Sequence, residues 1–257
     1  MPHFFKRLYV WLIYAFLYVP LLVVFVYSFN HNRFTTNWGG FSLRWYESLF
    51  ANSALLDAAV NSLMVAVCAA SLATVLGTLT ALALKRYRFS GRQALYGGIF
   101  LLTVSPEIVM GISMLIMFVA LNINLGFITL LIAHTTLCAP FVAVIVLTRL
   151  EAFDEHLIEA ARDLGASEAR AFWHVLLPLT FPAVAAGWLL SFSLSMDDVL
   201  ISTFTTGPAF EVLPIRIYSM VRLGIRPDLN ALAAVMFVFT IVLVLLAQAI
   251  NQTRRKQ

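Results

Sequence analysis

Six apolar stretches, each long enough to cross a lipid bilayer, dominate this chain of 257 residues. A helix needs about 20 apolar residues to cross the hydrocarbon core, and these runs lack the alternation that is typical of barrel strands. The residues are 61% hydrophobic and the mean hydropathy is +0.89, so a single core could not bury them all. We therefore predict an all-α integral membrane protein with six transmembrane helices, near Leu8–Phe29, Ala58–Leu84, Ala94–Leu121, Phe127–Thr148, Leu179–Phe204 and Leu232–Ile250.

The distribution of basic residues predicts the orientation of these spans, because cytoplasmic loops carry an excess of Lys and Arg. Twelve of the 17 Lys and Arg residues lie at the two termini and in the second and fourth connections. We therefore expect both termini and the connection of residues 151–177 to face the cytoplasm. No linker or low-complexity segment divides the chain, so we expect a single transmembrane domain over residues 1–257.

The connection from Glu151 to Leu177 is strongly polar and too regular for a simple linker. It holds six of the 13 acidic residues of the chain, namely Glu151, Asp154, Glu155, Glu159, Asp163 and Glu168. Apolar residues recur within it at the spacing of one helix face, at Phe153, Leu157, Ala160, Ala161 and Leu164. So many charges cannot lie in lipid, and this segment must face water.

The same connection carries signals for a turn between two helices. Asp154 is placed to cap the first helix, and Gly165 follows its last apolar position, where a C-cap glycine belongs. Ser167 is placed to cap a second short helix, which we expect Pro178 to end at the start of the fifth span. The alternative is an amphipathic helix on the bilayer surface, but its polar face would be rich in Lys and Arg, and this face is acidic. We therefore expect a helix–glycine–helix loop that docks on a partner.

The loop reads Glu159-Ala160-Ala161, then Gly165, then Val175-Leu176-Leu177-Pro178. This pattern resembles the EAA loop of ABC-importer permeases, with Val175 where isoleucine is usual. The resemblance implies a coupling helix seated in a groove of a cytoplasmic ATPase subunit, with the coupling residues Glu159, Ala160, Ala161, Asp163, Leu164, Gly165 and Pro178. The chain has no G-x-x-x-x-G-K-[ST] phosphate loop, so we expect ATP and Mg to be bound by the ATPase subunits, and no cofactor on this chain.

Further segments extend the resemblance over essentially the whole chain: Ser28-Phe29-Asn30, Arg33-Phe34, Arg44-Trp45-Tyr46, Ser105–Met110, Pro182–Trp188, Leu194–Asp198 and Ile217–Val221. Through them the chain is similar to the permeases of spermidine/putrescine importers. The resemblance implies a complex in the bacterial cytoplasmic (inner) membrane, with two different permeases, two ATPase copies, a periplasmic binding protein and no nucleic acid. Related permeases for other solutes share much of this pattern, so another small organic solute is the alternative substrate.

Carboxylates within the predicted spans are candidates for a pathway that carries a cation. Glu107 lies about 14 residues into the third span, near mid-membrane, and Pro106 should kink the helix there. Asp197 and Asp198 lie near the outer end of the fifth span, and adjacent residues point about 100° apart, so we expect one of them to face a cavity. The resemblance favours Asp197. The alternatives are a structural acid at Glu107 and solvated interface charges at the aspartates.

Trp45 and Tyr46 lie in the first outer connection and are candidates for cation–π contact with an alkylammonium group. The alternative is an anchor in the aromatic belt at the membrane surface, which we prefer for Tyr46. The resemblance favours Trp45 as the cation contact. We assign Glu168 to helix capping or ATPase contact, and His134 to packing.

Three functions are compatible with these features. The leading hypothesis is a permease subunit, not itself an enzyme, that forms with a second permease the pathway for spermidine or putrescine in an ATP-driven importer. A secondary transporter without ATPase would be expected to show inverted repeats with broken helices, and no convincing repeat is present. An intramembrane enzyme needs paired catalytic groups on separate helices, whereas Asp197 and Asp198 are neighbours. Cys68 and Cys138 fall inside apolar spans, and we predict no metal site.

Overall fold

The computed structural model describes residues 3–32, 37–154, 156–222, 228–238 and 241. In this part of the chain the regular elements are helices: α1 (His3–Tyr27), α2 (Arg44–Ala51), α3 (Ser53–Arg86), α4 (Arg92–Val104), α5 (Glu107–Ala120), α6 (Phe127–Glu151), α7 (His156–Asp163), α8 (Glu168–Ala171), α9 (Leu177–Asp197), α10 (Leu200–Thr205), α11 (Leu213–Arg222) and α12 (Asp228–Val238). A π-helical turn, Phe172–Leu176, joins α8 to α9. The described residues form no strand, and the predicted all-α class is confirmed.

The chain divides into two compact units, which we describe separately. The smaller unit consists of residues 1–56 and 216–257, and the larger unit of residues 57–215. In the larger unit, α6 packs against α9, α4 and α10 and is the most buried of the long apolar helices. The single domain over residues 1–257 stays a prediction.

Small residues let the helices of the larger unit approach α6 closely. A Cβ added to Gly77 of α3 would stand 2.7 Å from the carbonyl oxygen of Ala139 and from the side chain of Val142. A Cβ on Gly187 of α9 would stand 3.1 Å from the same valine. Membrane helices associate through such close packing, because lipid tails are as apolar as the side chains. Helices α3, α6 and α9 therefore form a tightly packed core.

The predicted third span, Ala94–Leu121, is not one helix. Helix α4 ends at Val104, α5 begins at Glu107, and the two are bent by 112°. Ser105 has extended backbone (φ −64°, ψ 135°), because a residue before proline is pushed away from helical angles. Pro106 also lacks the N–H that a continuing helix would use. The kink that we predicted at Pro106 is therefore a complete break between two helices.

The fifth span differs from its prediction at both ends. Pro178 does not end a helix, because α8, the π-helical turn and α9 continue as one helical segment from Glu168 to Asp197. A proline ring clashes with the carbonyl four residues before it, and the wider π turn directly before Pro178 relieves that clash. At the other end, a break separates α9 from α10, so the predicted continuous span Leu179–Phe204 is two helices.

Four described helical segments are long and apolar enough to cross a membrane, and the bent pair α4–α5 would add a fifth. The four are α1, α3, α6 and the segment Glu168–Asp197. The predicted sixth span, Leu232–Ile250, begins in the apolar helix α12, and most of its remainder lies outside the described residues. The count of six spans and the cytoplasmic placement of both termini stay predictions.

Candidate functional site

The polar connection forms two short helices separated by a glycine turn, as the sequence predicts. Helix α7 ends in a Schellman turn, in which the N–H of Ala166 donates to the carbonyl of Ala161 (3.0 Å) and that of Gly165 to Arg162 (2.8 Å). Gly165 has φ +84°, a left-handed conformation that an L side chain adopts only with strain. Ser167 caps α8 through its hydroxyl. Glycine chemistry and capping thus fix this turn locally.

Asp154 caps the start of α7, also as predicted. Its carboxylate accepts from the backbone N–H of His156 (3.1 Å) and lies 2.7 Å from the ring nitrogen Nδ1 of the same residue. The hydrogen bond from the ring, and after it the backbone hydrogen bond, hold the pKa of Asp154 below its ordinary value. The carboxylate therefore stays charged at the N-terminal end of α7, where the helix dipole favours a negative charge.

Glu168 connects the loop to α3. Its two carboxylate oxygens accept from Arg86 at the end of α3 (2.6 Å) and from Arg162 in α7 (2.7 Å). Arg86 lies 82 residues away along the chain, so no local spacing could reveal this pairing. The sequence-based assignment of Glu168 to capping or ATPase contact missed its role as a bridge between α3, α7 and α8.

The surface of the loop exposes apolar side chains. Leu164, directly after α7, is 89% exposed, and Leu157 is 46% exposed. Ala160 lies exposed on the same helix, and its small side chain permits close approach by a neighbour. Exposed large apolar side chains are typical of surfaces that contact another protein, so these residues are candidates for such a contact.

Glu159 lines a cavity that α7 forms with the ends of α3 and α6. The volume of this cavity is about 270 Å³. Its wall also includes Arg86, Arg162 and Phe153. Glu159, the first residue of the EAA pattern, therefore lines the same cavity as the two arginines that Glu168 binds.

Two helix breaks in the larger unit carry three carboxylates. Glu107 is the first residue of α5, directly after the break at Pro106. Asp197 is the last residue of α9, and Asp198 lies in the next break. Helix α5 packs against α10, which follows this second break. The described residues include no group of three or more His, Cys, Asp or Glu arranged to hold a metal ion, so the acids are not gathered as a metal site.

Asp197 and Glu107 are exposed, whereas Asp198 is buried and both of its carboxylate oxygens accept hydrogen bonds. One oxygen of Asp198 accepts from the backbone N–H of Ile201 (3.2 Å) and the other from that of Ser202 (2.7 Å). These bonds cap the start of α10. The pathway roles of Asp197 and Asp198 stay predictions, and Asp197 is the aspartate whose side chain is exposed.

His134 does more than pack. Its ring is buried and lies 2.6 Å from the hydroxyl of Ser195, 3.0 Å from that of Ser202 and 3.5 Å from Asp198. Ser195 belongs to α9 and Ser202 to α10, so the ring reaches both sides of the break. The sequence could not show this, because these serines lie 61 and 68 residues away. Although serine, histidine and aspartate meet here, their burial keeps substrates out, and the arrangement is structural.

The aromatic candidates lie in the smaller unit and are held by hydrogen bonds. The indole N–H of Trp45 donates to the carbonyl of Asn30 (2.7 Å), and the guanidinium of Arg44 lies 5.5 Å from the centroid of the Trp45 ring. The hydroxyl of Tyr46 is hydrogen-bonded to that of Ser28 (2.6 Å). Trp45 thus already receives a cation on its ring. The hydroxyl of Tyr46 is thus bonded within the unit, and its role as an anchor at the membrane surface stays a prediction.

The fold and these sites define a class of protein. Interrupted helices at membrane depth are tolerated where they line a water-filled path or are buried in protein, and ionisable groups in membrane spans mark such paths. The molecule is therefore a membrane transport component with a surface for a partner protein. Residues 73–256 match the family described as binding-protein-dependent transport system inner membrane component. The chain belongs to this family.

Two relatives and one solved structure show the extent of the similarity. The chain is 51% identical over 244 residues to the spermidine/putrescine transport system permease protein PotC of Escherichia coli, which covers 95% of this chain and 92% of that protein. It is 41% identical over 230 residues to the putrescine transport system permease protein PotI of Escherichia coli, covering 86% of this chain and 81% of that protein. A bacterial alginate ABC transporter, solved with an alginate pentasaccharide-bound periplasmic protein, has the same fold, with a TM-score of 0.74 at 16% identity over 97% of this chain and 94% of that one.

Membership of this family has direct consequences. The chain is a multi-pass permease of an ABC importer in the inner membrane, and it is not an enzyme, because the ATPase is a separate subunit. Its partners are of two general kinds, an ATPase and a substrate-binding protein. The ATP-independent secondary transporter and the intramembrane enzyme, which were alternatives at the level of sequence, are excluded.

Proposed function

We propose that this chain forms, with a second homologous permease, the pathway through which an importer moves polyamines such as spermidine and putrescine. The observation that carries the proposal is the position of two exposed carboxylates, Glu107 and Asp197, at two helix breaks that are joined by the packing of α5 against α10. A polyamine carries several positive charges, and its transfer into a low-dielectric region without partners would be prohibitive. The similarity to the spermidine/putrescine permease of Escherichia coli supports this substrate class.

The number of carboxylates explains why a polyamine fits better than a single ammonium ion. Glu107 and Asp197 are two exposed carboxylates at neighbouring helix breaks, and buried Asp198 is a third. Like charges repel, and the repulsion is strong where the dielectric is low. A solute with two ammonium groups can contact both exposed carboxylates and remove the repulsion between them. A neutral or anionic solute would leave it in place.

Trp45 supplies a further surface for an alkylammonium group. The guanidinium of Arg44 already lies within cation–π distance of its ring, and an alkylammonium group would make the same kind of contact. We assign Trp45 to contact with the cation and Tyr46 to anchoring at the membrane surface.

The loop at α7 supplies the coupling to ATP. Exposed Leu164 and Leu157 fit a groove in an ATPase subunit, with Ala160 allowing close approach. The bridge of Arg162, Glu168 and Arg86 would then carry a movement of α7 to α3. ATP does work on the permeases only if its binding favours one of their orientations. We assign ATP and Mg to two copies of the ATPase, and coupling on this chain to Glu159, Ala160, Ala161, Asp163, Leu164, Gly165 and Pro178.

Uptake of radiolabelled spermidine by cells that carry the complete importer tests the proposal. Glu107→Gln and Asp197→Asn remove one negative charge each and keep the shape of the side chain. We expect each variant to lower the uptake rate by about tenfold or more, since a desolvated cation loses a charged partner. Unlabelled putrescine should compete with spermidine, and amino acids should not.

The matched control is Asp57→Asn, which removes an exposed carboxylate at the start of α3, outside the cluster. It should leave uptake unchanged. Co-purification of the ATPase subunit confirms that each variant assembles. Normal uptake by both Glu107→Gln and Asp197→Asn would remove these residues from the pathway, and competition by amino acids would favour another organic solute.

A further inference from the structure

A buried polar cluster holds the break between α9 and α10. It consists of His134 of α6, Ser195 of α9, Asp198 in the break and Ser202 of α10. Each of these residues is at most 6% exposed. Polar groups at this depth need hydrogen-bond partners, and each of the four has one within the cluster. The cluster therefore fixes a single arrangement of the broken span.

The chemistry of the partners determines the direction of the hydrogen bonds. The carboxylate of Asp198 can only accept, so we place the imidazole proton on Nε2, which faces Asp198 (3.5 Å) and Ser202 (3.0 Å). Nδ1 then accepts from the hydroxyl of Ser195 at 2.6 Å. One nitrogen of the ring thus holds α10, and the other holds α9.

Helix α10 in turn sets the start of α5. The two helices pack at Gly111, where a Cβ would stand 2.8 Å from the ring of Phe204 and 3.3 Å from the Cα of Ile201. Contact this close means that α10 cannot shift without moving α5. Glu107 lies one turn before Gly111, and Asp197 directly precedes the cluster. The separation of the two exposed carboxylates therefore depends on where the cluster holds α10.

We propose that His134 is a positioning residue for cation recognition. Its imidazole holds α9 and α10 at the break and so sets the separation of Glu107 and Asp197. This inference rests on the proposed role of those carboxylates. A fixed separation suits one spacing of ammonium groups, so His134 tunes the preference of the pathway between a longer and a shorter polyamine.

Two replacements separate the contacts of the two ring nitrogens. The amide of Gln reaches the position of Nε2 and can donate to Asp198, whereas the amide of Asn reaches only the position of Nδ1 beside Ser195. In vesicles with the complete importer and saturating binding protein, we measure the maximal uptake rates of spermidine and putrescine. His134→Asn should change the ratio of the two rates by about fivefold or more, and His134→Gln should keep it within about twofold.

The control is Thr136→Ala, which removes a hydroxyl bonded to the carbonyl of Ile132 within α6, and it should keep the wild-type ratio. A residue that merely stabilised the fold would lower both rates together and leave their ratio unchanged. An unchanged ratio in His134→Asn, or equal changes in the Asn and Gln variants, would overturn the proposal.

A second measurement does not depend on polyamine transport. Leu200, in the first turn of α10, is 45% exposed, and Leu200→Cys can be labelled with a maleimide in a background where Cys68 and Cys138 are replaced by Ala. Labelling should be about threefold faster with His134→Asn than with His134→Gln, because loss of the Nε2 contact frees α10. If the two variants differ in labelling but the importer moves no polyamine, the result would support the positioning role of His134 and contradict the proposed substrate. If the two variants are labelled equally and the importer transports polyamines normally, the result would contradict the positioning role alone.

Discussion

Asp197 and Asp198 are adjacent in the sequence, and the helix end between them gives them different environments. Asp197 closes the last turn of α9 and stays exposed. Asp198 has extended backbone (φ −66°, ψ 120°), and its side chain reaches the free N–H groups at the start of α10. A helix N-terminus offers unpaired donors and favours a negative charge. One acid therefore stabilises the fold, and the other is free to contact a solute.

Replacing Asp198 by Ala should lower the stability of the purified complex, whereas Asp197→Ala should not. Without Asp198, the buried N–H groups of Ile201 and Ser202 lose their acceptors, which costs about 1–3 kcal/mol. Thermal unfolding of the two variants, measured beside the wild type, reports this difference. Equal melting temperatures for the two variants would contradict the division of roles between the aspartates.

At the scale of the helices, prolines have different effects because their surroundings differ. Pro106 follows a residue with extended backbone, and the helix breaks there. Pro178 follows a π turn, and Pro140 and Pro182 lie inside α6 and α9 without ending them. In membranes, packing partners can satisfy the backbone groups that a proline frees. A proline alone therefore does not predict a helix break. Whether the helix breaks depends on the packing around the proline.

The turn after α7 allows a test of how the loop couples ATP hydrolysis to uptake. Gly165→Ala places a Cβ on a residue with φ +84°, which costs about 1 kcal/mol and disfavours the Schellman turn. We expect ATPase activity to become uncoupled from uptake, because the positions of α7 and Leu164 depend on this turn. Uptake and ATP hydrolysis, measured together in vesicles, test this.

The control for that turn is Gly98→Ala in α4. A Cβ there meets nothing within 4 Å, and Gly98 has no positive φ, so coupling should be retained. Normal coupling in Gly165→Ala would show that the turn tolerates strain and that α7 is positioned by other contacts. The Glu168 bridge would then be the next candidate.

At the scale of the whole molecule, the source of energy lies outside the chain. The sequence has no phosphate loop, and the strongly exposed Leu164 lies on a loop with the EAA pattern. The carboxylates at the helix breaks contact the solute in our proposal, and the loop only transmits movement. Neither part can accumulate a solute alone, since a conformational change needs a differential input of free energy.

Vesicles with the two permeases but no ATPase should therefore show no accumulation of spermidine against a gradient. Addition of the ATPase, ATP and loaded binding protein should restore accumulation, and the binding protein should stimulate ATP hydrolysis. Uptake and phosphate release, followed in the same vesicles, measure both effects. Accumulation by the permeases alone would contradict the requirement for ATP.

Local physics explains what the sequence by itself determined. The all-α class follows from apolar length, because a helix in lipid satisfies its own backbone. Asp154, Gly165 and Ser167 predicted the helix–glycine–helix loop, since capping and left-handed turns depend on neighbouring residues. Gly165 also belongs to the EAA pattern, which carried the resemblance to the family to which the chain belongs.

Only the tertiary structure decided the two helix breaks and the partners of the charged groups. Glu168 meets Arg86 across 82 residues, and His134 meets its serines across 61 and 68. Such pairs leave no periodic trace in the sequence, because chain folding, not spacing, brings the helices together. The different environments of Asp197 and Asp198 belong here too, because α9 stops between them, and both α9 and α10 pack against α6.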